Sequence, residues 1–127
     1  MILVQEYVDA ADRNEYRDWF NRIDVHLAVR VTTIVERIAA GHKAALAPVG
    51  EGVSEYKNDT GPGLRIYFGK DGDQLVILLG GGTKRTQSKD IEAAKLLWRE
   101  YKARKKVAQK AEAETVAKKP TGRKKRK

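Results

Sequence analysis

Cysteine is absent from the chain. Neither a disulfide framework nor a thiolate metal site can form without it. That composition suits a reducing compartment, and the expected location is the cytoplasm. Histidine is nearly absent too. His26 and His42 stand far apart, with no cluster of ligand-type residues around them, so no metal and no cofactor is expected. Long hydrophobic runs are also missing. The longest wholly apolar run is Leu75 to Leu79, against the ~18 residues of a membrane span, so no membrane partner is expected. The opening MILVQEYV is too short an apolar run for a signal peptide, and acids follow at once. Gly80–Gly82 lacks the lysine-serine ending of a phosphate-binding P-loop, which argues against nucleotide binding.

What the chain does have is positive charge, unevenly placed. Its 127 residues carry a net charge of +9. Residues 102–127 hold 12 of the 26 Lys/Arg and 2 of the 17 acids, leaving 14 cations against 15 acids in residues 1–101. The high pI therefore belongs to the tail, and a folded core must bind through a local patch. The expected organisation is one domain over residues 1–105 and a basic, unstructured extension over 106–127, clearest in KKPTGRKKRK from Lys118 to Lys127.

Periodicity predicts an α+β domain. Ile2 to Val8 reads as a strand. Asp12 with Glu15 three residues later resembles a capping box, so a helix should start at Asp12, with Tyr16, Trp19, Phe20 and Ile23 on its apolar face. Asp24 caps a second helix, whose Leu27, Val31, Ile34 and Ile38 recur at helical spacing until Gly41. Ala47 to Gly52 reads as loop. Three strands follow: Val53 to Asn58, Leu64 to Gly69, and Gln74 to Leu79, the last apolar on both faces and so interior. Ser88 is expected to cap a final helix that packs through Ile91, Ala94, Leu97 or Trp98, and Tyr101.

Two turns set the expected register. If Asp71-Gly72 is a two-residue hairpin turn, Phe68 faces Leu75, Ile66 faces Ile77 and Leu64 faces Leu79, all six beneath the helices. If the Asp59–Gly63 turn is symmetric about Gly61, Lys57 lies opposite Arg65 and Glu55 opposite Tyr67, on a face left open. Two cations directly across a strand pair repel, which suggests a bound anion between them.

The segments GPGLRIYF, GEGVSEYK and LLGGGTKRTQSKDI together resemble the HigB branch of the RelE/ParE toxin superfamily, the addiction-module killer proteins. The order of elements is similar over roughly residues 1–105. The resemblance implies a RelE-like fold: an N-terminal strand and helical hairpin on a small, mainly antiparallel sheet, with a C-terminal helix. It implies the toxin of a type II toxin–antitoxin system that cuts mRNA on the ribosome without metal. It also implies restraint by a cognate helix-turn-helix antitoxin (HigA-like), with operator DNA met only through that antitoxin. The family's basic positions map to Lys57, Arg65 and Lys84, with Tyr67 and Gln87 beside them. The chain departs from the pattern in having Lys57 where the family has arginine, and Leu64 where it has tyrosine.

Such cleavage uses the RNA's own 2′-hydroxyl as nucleophile and needs cations to stabilise the added charge at phosphorus. Arg65 is the leading candidate, because a planar fork matches a phosphate. Lys57, Tyr67 and Lys84 complete the expected catalytic set, with Glu55 an alternative base. Arg85 and Gln87 are expected to contact RNA, although Gln87 also reads as a hydrogen bonder at the helix entry. Gly80–Gly82 would allow close backbone approach. A ParE-like poison of DNA gyrase and a noncatalytic nucleic-acid-binding module remain as alternatives.

Overall fold

A computed structural model describes the backbone of residues 2–125 and the side chains of residues 2–115. Among these residues, strands β1 (Leu3–Glu6), β2 (Leu46–Gly50), β3 (Val53–Asn58), β4 (Leu64–Asp71) and β5 (Leu75–Thr83) form one open sheet. Its order is β1-β5-β4-β3-β2, with β1 parallel to β5 and every other pairing antiparallel. Helices α1 (Glu15–Arg22) and α2 (Val25–Ala39) join β1 to β2, and a 3₁₀ turn at Lys84–Thr86 leads into α3 (Gln87–Lys125). The architecture is α+β, as the periodicity predicts. No helix among the described residues is long and apolar enough to cross a membrane.

Each face of the sheet buries a core. Tyr16 and Trp19 of α1 and Val31, Ile34 and Ile38 of α2 pack on Leu64, Ile66, Phe68, Val76 and Leu78. On the opposite face, Ala94 and Trp98 of α3 pack on Val53, Tyr67, Ile77 and Leu79. The face expected to be open is therefore roofed by α3. That roof is also pinned at its edges. The Tyr101 hydroxyl donates to Asp71, and Lys105 Nζ lies 2.5 Å from the same carboxylate. Arg104 Nη1 donates to the Val8 carbonyl at 2.9 Å, and Arg99 grips Glu51 through two 2.7 Å bonds. From Lys106 to Thr115 every side chain is exposed. Residues 106–127 were expected to be unstructured, but the backbone is helical as far as Lys125; residues 126–127 lie outside those described.

Three local expectations need correction. The first helix starts later, because Asp12 sits at φ +65° in a turn organised by Asp9, whose Oδ1 accepts the N–H groups of Ala11 and Arg13. Asn14 is the cap, accepting from Arg17 N at 2.9 Å. Asp24 caps α2 as expected, accepting from His26 N. The segment expected to be loop at Ala47–Gly52 contains most of β2. An edge strand tolerates Pro48, whose missing N–H breaks no interior ladder. The final helix begins at Gln87, so Ser88 lies inside it, and the Thr86 hydroxyl donates to Asp90 across the junction.

The largest correction is the β4–β5 register. Strand β4 continues to Asp71, which pairs with Leu75, so the connection is Gly72-Asp73-Gln74 and not a two-residue turn. Phe68 then pairs with Leu78. A bulge places one extra residue, Leu79, on β5, after which Tyr67 faces Gly80, Ile66 faces Gly81 and Arg65 faces Gly82. Val76 and Leu78 therefore join the α1–α2 core, while Ile77 and Leu79 turn to α3. Gly80–Gly82 is strand, not loop. A Cβ on Gly81 would sit 2.3 Å from the Trp19 ring, and one on Gly82 1.9 Å from Asp90 Oδ2, so these glycines make room for protein side chains.

Candidate functional site

The β3–β4 register fulfils its expectation. Lys57 pairs with Arg65 and Glu55 with Tyr67. The exposures of these four residues are very different. Lys57 is exposed, whereas Glu55, Arg65 and Tyr67 are all buried at 3% or less. The difference follows from the roof: α3 enters over Tyr67 and covers everything toward the middle of the sheet.

Arg65 lies at the edge of that cover, and its guanidinium is held on two sides. Nη2 donates to Asp59 Oδ1 at 2.9 Å, and Nη1 donates to the Leu64 carbonyl at 3.1 Å. Nε is buried without a partner. Asp59 belongs to the turn between β3 and β4, where Gly61 and Gly63 take positive φ, and its side chain is 75% exposed. This ion pair answers the repulsion expected between Lys57 and Arg65, so the folded chain does not need a bound anion to tolerate them.

Lys84 is brought to the same place by the backbone. Its N–H donates to the Gly63 carbonyl at 2.8 Å. A Cβ on Gly63 would lie 3.0 Å from Lys84 Cβ and 3.6 Å from Arg65 Nη1, so glycine lets the lysine and the arginine flank one point. Lys84 and Arg85 are both exposed on the 3₁₀ turn. Lys57, Arg65, Lys84 and Arg85 thus cluster at one end of the β3-β4-β5 ladder. Two contributors escaped the sequence reading, Asp59 and Arg30. Arg30 Nη2 donates to Asn58 Oδ1 at 2.7 Å and to the Thr60 carbonyl at 2.8 Å, fastening the turn to α2. The available signal was the Asn58-Asp59 pair ahead of Gly61-Pro62-Gly63, a combination that builds side-chain-braced turns.

No family model matches the chain. It is 34% identical over 86 residues to an uncharacterized protein of Haemophilus influenzae, an alignment covering 67% of this chain and 87% of that protein. The chain belongs to that protein's family. This relative brings no activity with it, so the chemistry must be argued from the side chains.

Tyr67 and Gln87 stand apart from the surface cations. Gln87 Nε2 donates to Glu55 Oε2 at 2.7 Å, sealing the carboxylate beneath the start of α3. This agrees with the helix-entry reading of Gln87. The Tyr67 hydroxyl is buried without a partner. Burial, then the negative charges of Glu55 and Asp90, push its pKa far above the usual phenol range. The ring is out of contact with solvent, away from the surface cations with which it was grouped. Among the described residues no group of three or more His, Asp or Glu side chains could hold a metal ion. What remains is a cationic corner: one buried guanidinium paired with Asp59, and three exposed surface cations.

Proposed function

We propose that the chain is a type II toxin of the RelE/ParE kind, with the corresponding fold, and that it acts as a ribosome-dependent endoribonuclease on mRNA. The observation that carries this reading is the juxtaposition of Arg65 and Lys84 across Gly63, with Lys57 opposite Arg65 on the neighbouring strand. Arg65 is locked by β4 and by the Leu64 carbonyl, so its fork is oriented before any ligand arrives. Lys57, Lys84 and Arg85 add charge that conforms to an RNA backbone. A scissile phosphate would meet the exposed cations of this corner first, and the Arg65 guanidinium beneath them would then answer the negative charge that the attacking 2′-hydroxyl adds at phosphorus. A well-placed donor of this kind contributes about 3–4 kcal/mol to the transition state, or roughly 10²–10³ in rate. A helix-turn-helix antitoxin is the partner expected to restrain it.

One observation favours a second reading. Glu55 and Tyr67, two of the side chains expected to move a proton, are both sealed under α3, leaving the Lys57 amine and the Asp59 carboxylate, itself paired with Arg65, as the exposed candidates. A corner rich in cations and poor in accessible acids and bases also suits a module that binds nucleic acid without cutting it.

The deciding experiment is induction of the protein in cells lacking an antitoxin, with new mRNA 5′ ends mapped beside Arg65→Ala and Lys84→Ala. Cuts that respect codon frame, appear only on translated messages and fall by about 10²-fold or more in Arg65→Ala are expected. Lys84 is exposed, so its variant tests the corner without disturbing the core. Growth arrest with no new 5′ ends would sink the nuclease and point to gyrase. Neither arrest nor cutting would leave the binding module.

A further inference from the structure

Asp59 is a carboxylate in a place where the proposed function puts a phosphate. Its Oδ1 sits 2.9 Å from Arg65 Nη2, the separation a bound phosphate oxygen would take. The two partners differ in freedom. The Arg65 side chain is 4% exposed and tied to the Leu64 carbonyl, whereas the Asp59 side chain is 75% exposed on a turn with two positive-φ glycines. If the pair opens, the carboxylate is the member that moves. A second, independent sign is Arg65 Nε, a buried N–H of the same guanidinium with no acceptor. Buried donors are rarely left without partners, and one on a guanidinium marks unused capacity for an anion with several oxygens.

We infer that Asp59 is a resident stand-in for the ligand phosphate. It occupies Arg65 in the free protein, and a phosphodiester oxygen displaces it. This inference rests on the reading of Arg65 as a phosphate-binding residue. Its consequence is selectivity. A weak anion does not compete with a carboxylate already in place, while an extended RNA strand, also held by Lys57, Lys84 and Arg85, does. Asp59 thus acts through Arg65 as a positioning residue that lowers affinity for isolated anions.

The test is binding of a short, non-cleavable 2′-deoxy analogue of RNA, followed by fluorescence anisotropy with the full chain. Asp59→Asn keeps an oxygen for Arg65 but removes the charge. It is expected to bind about three- to ten-fold more tightly, the scale of releasing one partly exposed ion pair. Asp73→Asn, which removes an exposed carboxylate from the turn at the other end of β4, is expected to stay within about two-fold. The Asp59→Asn gain is expected to vanish in an Arg65→Lys background, where no fork is freed. Unchanged or weaker binding by Asp59→Asn would overturn the inference, because Asp59 would then be an anchor or a bystander. An equal gain from Asp73→Asn would overturn it too, because the effect would be bulk charge. Should Asp59→Asn fail to fold, the wild-type protein still decides. Saturation with the same oligonucleotide should move the Asp59 carboxyl ¹³C resonance to that of a free carboxylate, and an unmoved resonance would overturn the displacement. Cleavage is read separately. A tighter Asp59→Asn with no cutting by any variant keeps the stand-in and removes the nuclease. Arg65-dependent cutting with Asp59→Asn unchanged does the reverse.

Discussion

Replacing Gly69 by alanine tests how α3 is seated. Gly69 lies on β4 under the Trp98 indole, and a Cβ added there would be 2.5 Å from both Cε3 and Cζ3 and 2.6 Å from Cδ2. Carbon atoms pack best at about 3.5–4.0 Å, so the ring must retreat by roughly 1 Å. It has little room, because Nε1 already lies 2.8 Å from where a Cβ on Gly52 would be, and Tyr101 stacks on the ring at 4.9 Å between centroids. Overpacking of this kind costs about 1–3 kcal/mol. Gly69 has no positive φ, so alanine recovers about 0.5–1 kcal/mol of strand preference, leaving a net loss of up to about 2.5 kcal/mol and centred near 1 kcal/mol. Urea unfolding with linear extrapolation measures this directly. Trp98→Ala alone should cost about 3–5 kcal/mol. In that background the added methyl meets no ring, so Gly69→Ala should become neutral or slightly stabilising, and Trp19 remains as the fluorophore. The same effect of Gly69→Ala with and without Trp98 would refute the proposed seating.

Other outcomes follow from single side chains. Tyr67→Phe removes a buried hydroxyl that has no partner, so stability should be unchanged or rise by up to about 1 kcal/mol in the same urea assay. Loss of the proposed mRNA cutting in folded Tyr67→Phe would assign the hydroxyl a catalytic role. The Arg17 guanidinium beside Glu6, helped by Asn14, holds that carboxyl below the usual carboxylate range. Between its folded and unfolded pKa values the unfolded chain binds the extra proton, so this contribution is complete above about pH 4.5 and fades as pH falls through the folded value. Glu6→Gln should therefore lower stability at neutral pH and flatten its decline between about pH 5 and pH 3. An acid limb as steep as the wild type's would count against it.

The sequence made some parts of this legible and hid others for physical reasons. The β3–β4 pairing was readable because a glycine-centred turn leaves one symmetric solution, and it placed Lys57 opposite Arg65. The β4–β5 pairing was not, because Asp71-Gly72 carries a strong hairpin signal while β4 runs on to Asp71 and Leu79 bulges. That slip hid the second core. The apolar residues on both faces of β5 were visible, and so was the stripe from Ile91 to Tyr101, but the two were not matched. The error passed into the site, since an open face would have put Tyr67 within reach of a ligand. Lys84 was grouped with Arg65 through the resemblance; the continuation of β5 past Leu79, which sets Gly82 opposite Arg65, is what brings the two together. Asp59 could not, because nothing in a turn carboxylate announces which cation it will meet.

The strand order also governs when the corner can exist during synthesis. The first strand made, β1, pairs only with β5, the last, joining Leu3 to Leu75. The roof over Arg65 then comes from a helix that follows β5. A growing chain therefore has no finished sheet until β5 has been made and no cover beside Arg65 until α3 follows, and such long-range pairing is slow to form. For a protein proposed to act on translating ribosomes, this connectivity would leave the corner unfinished until α3 has been made.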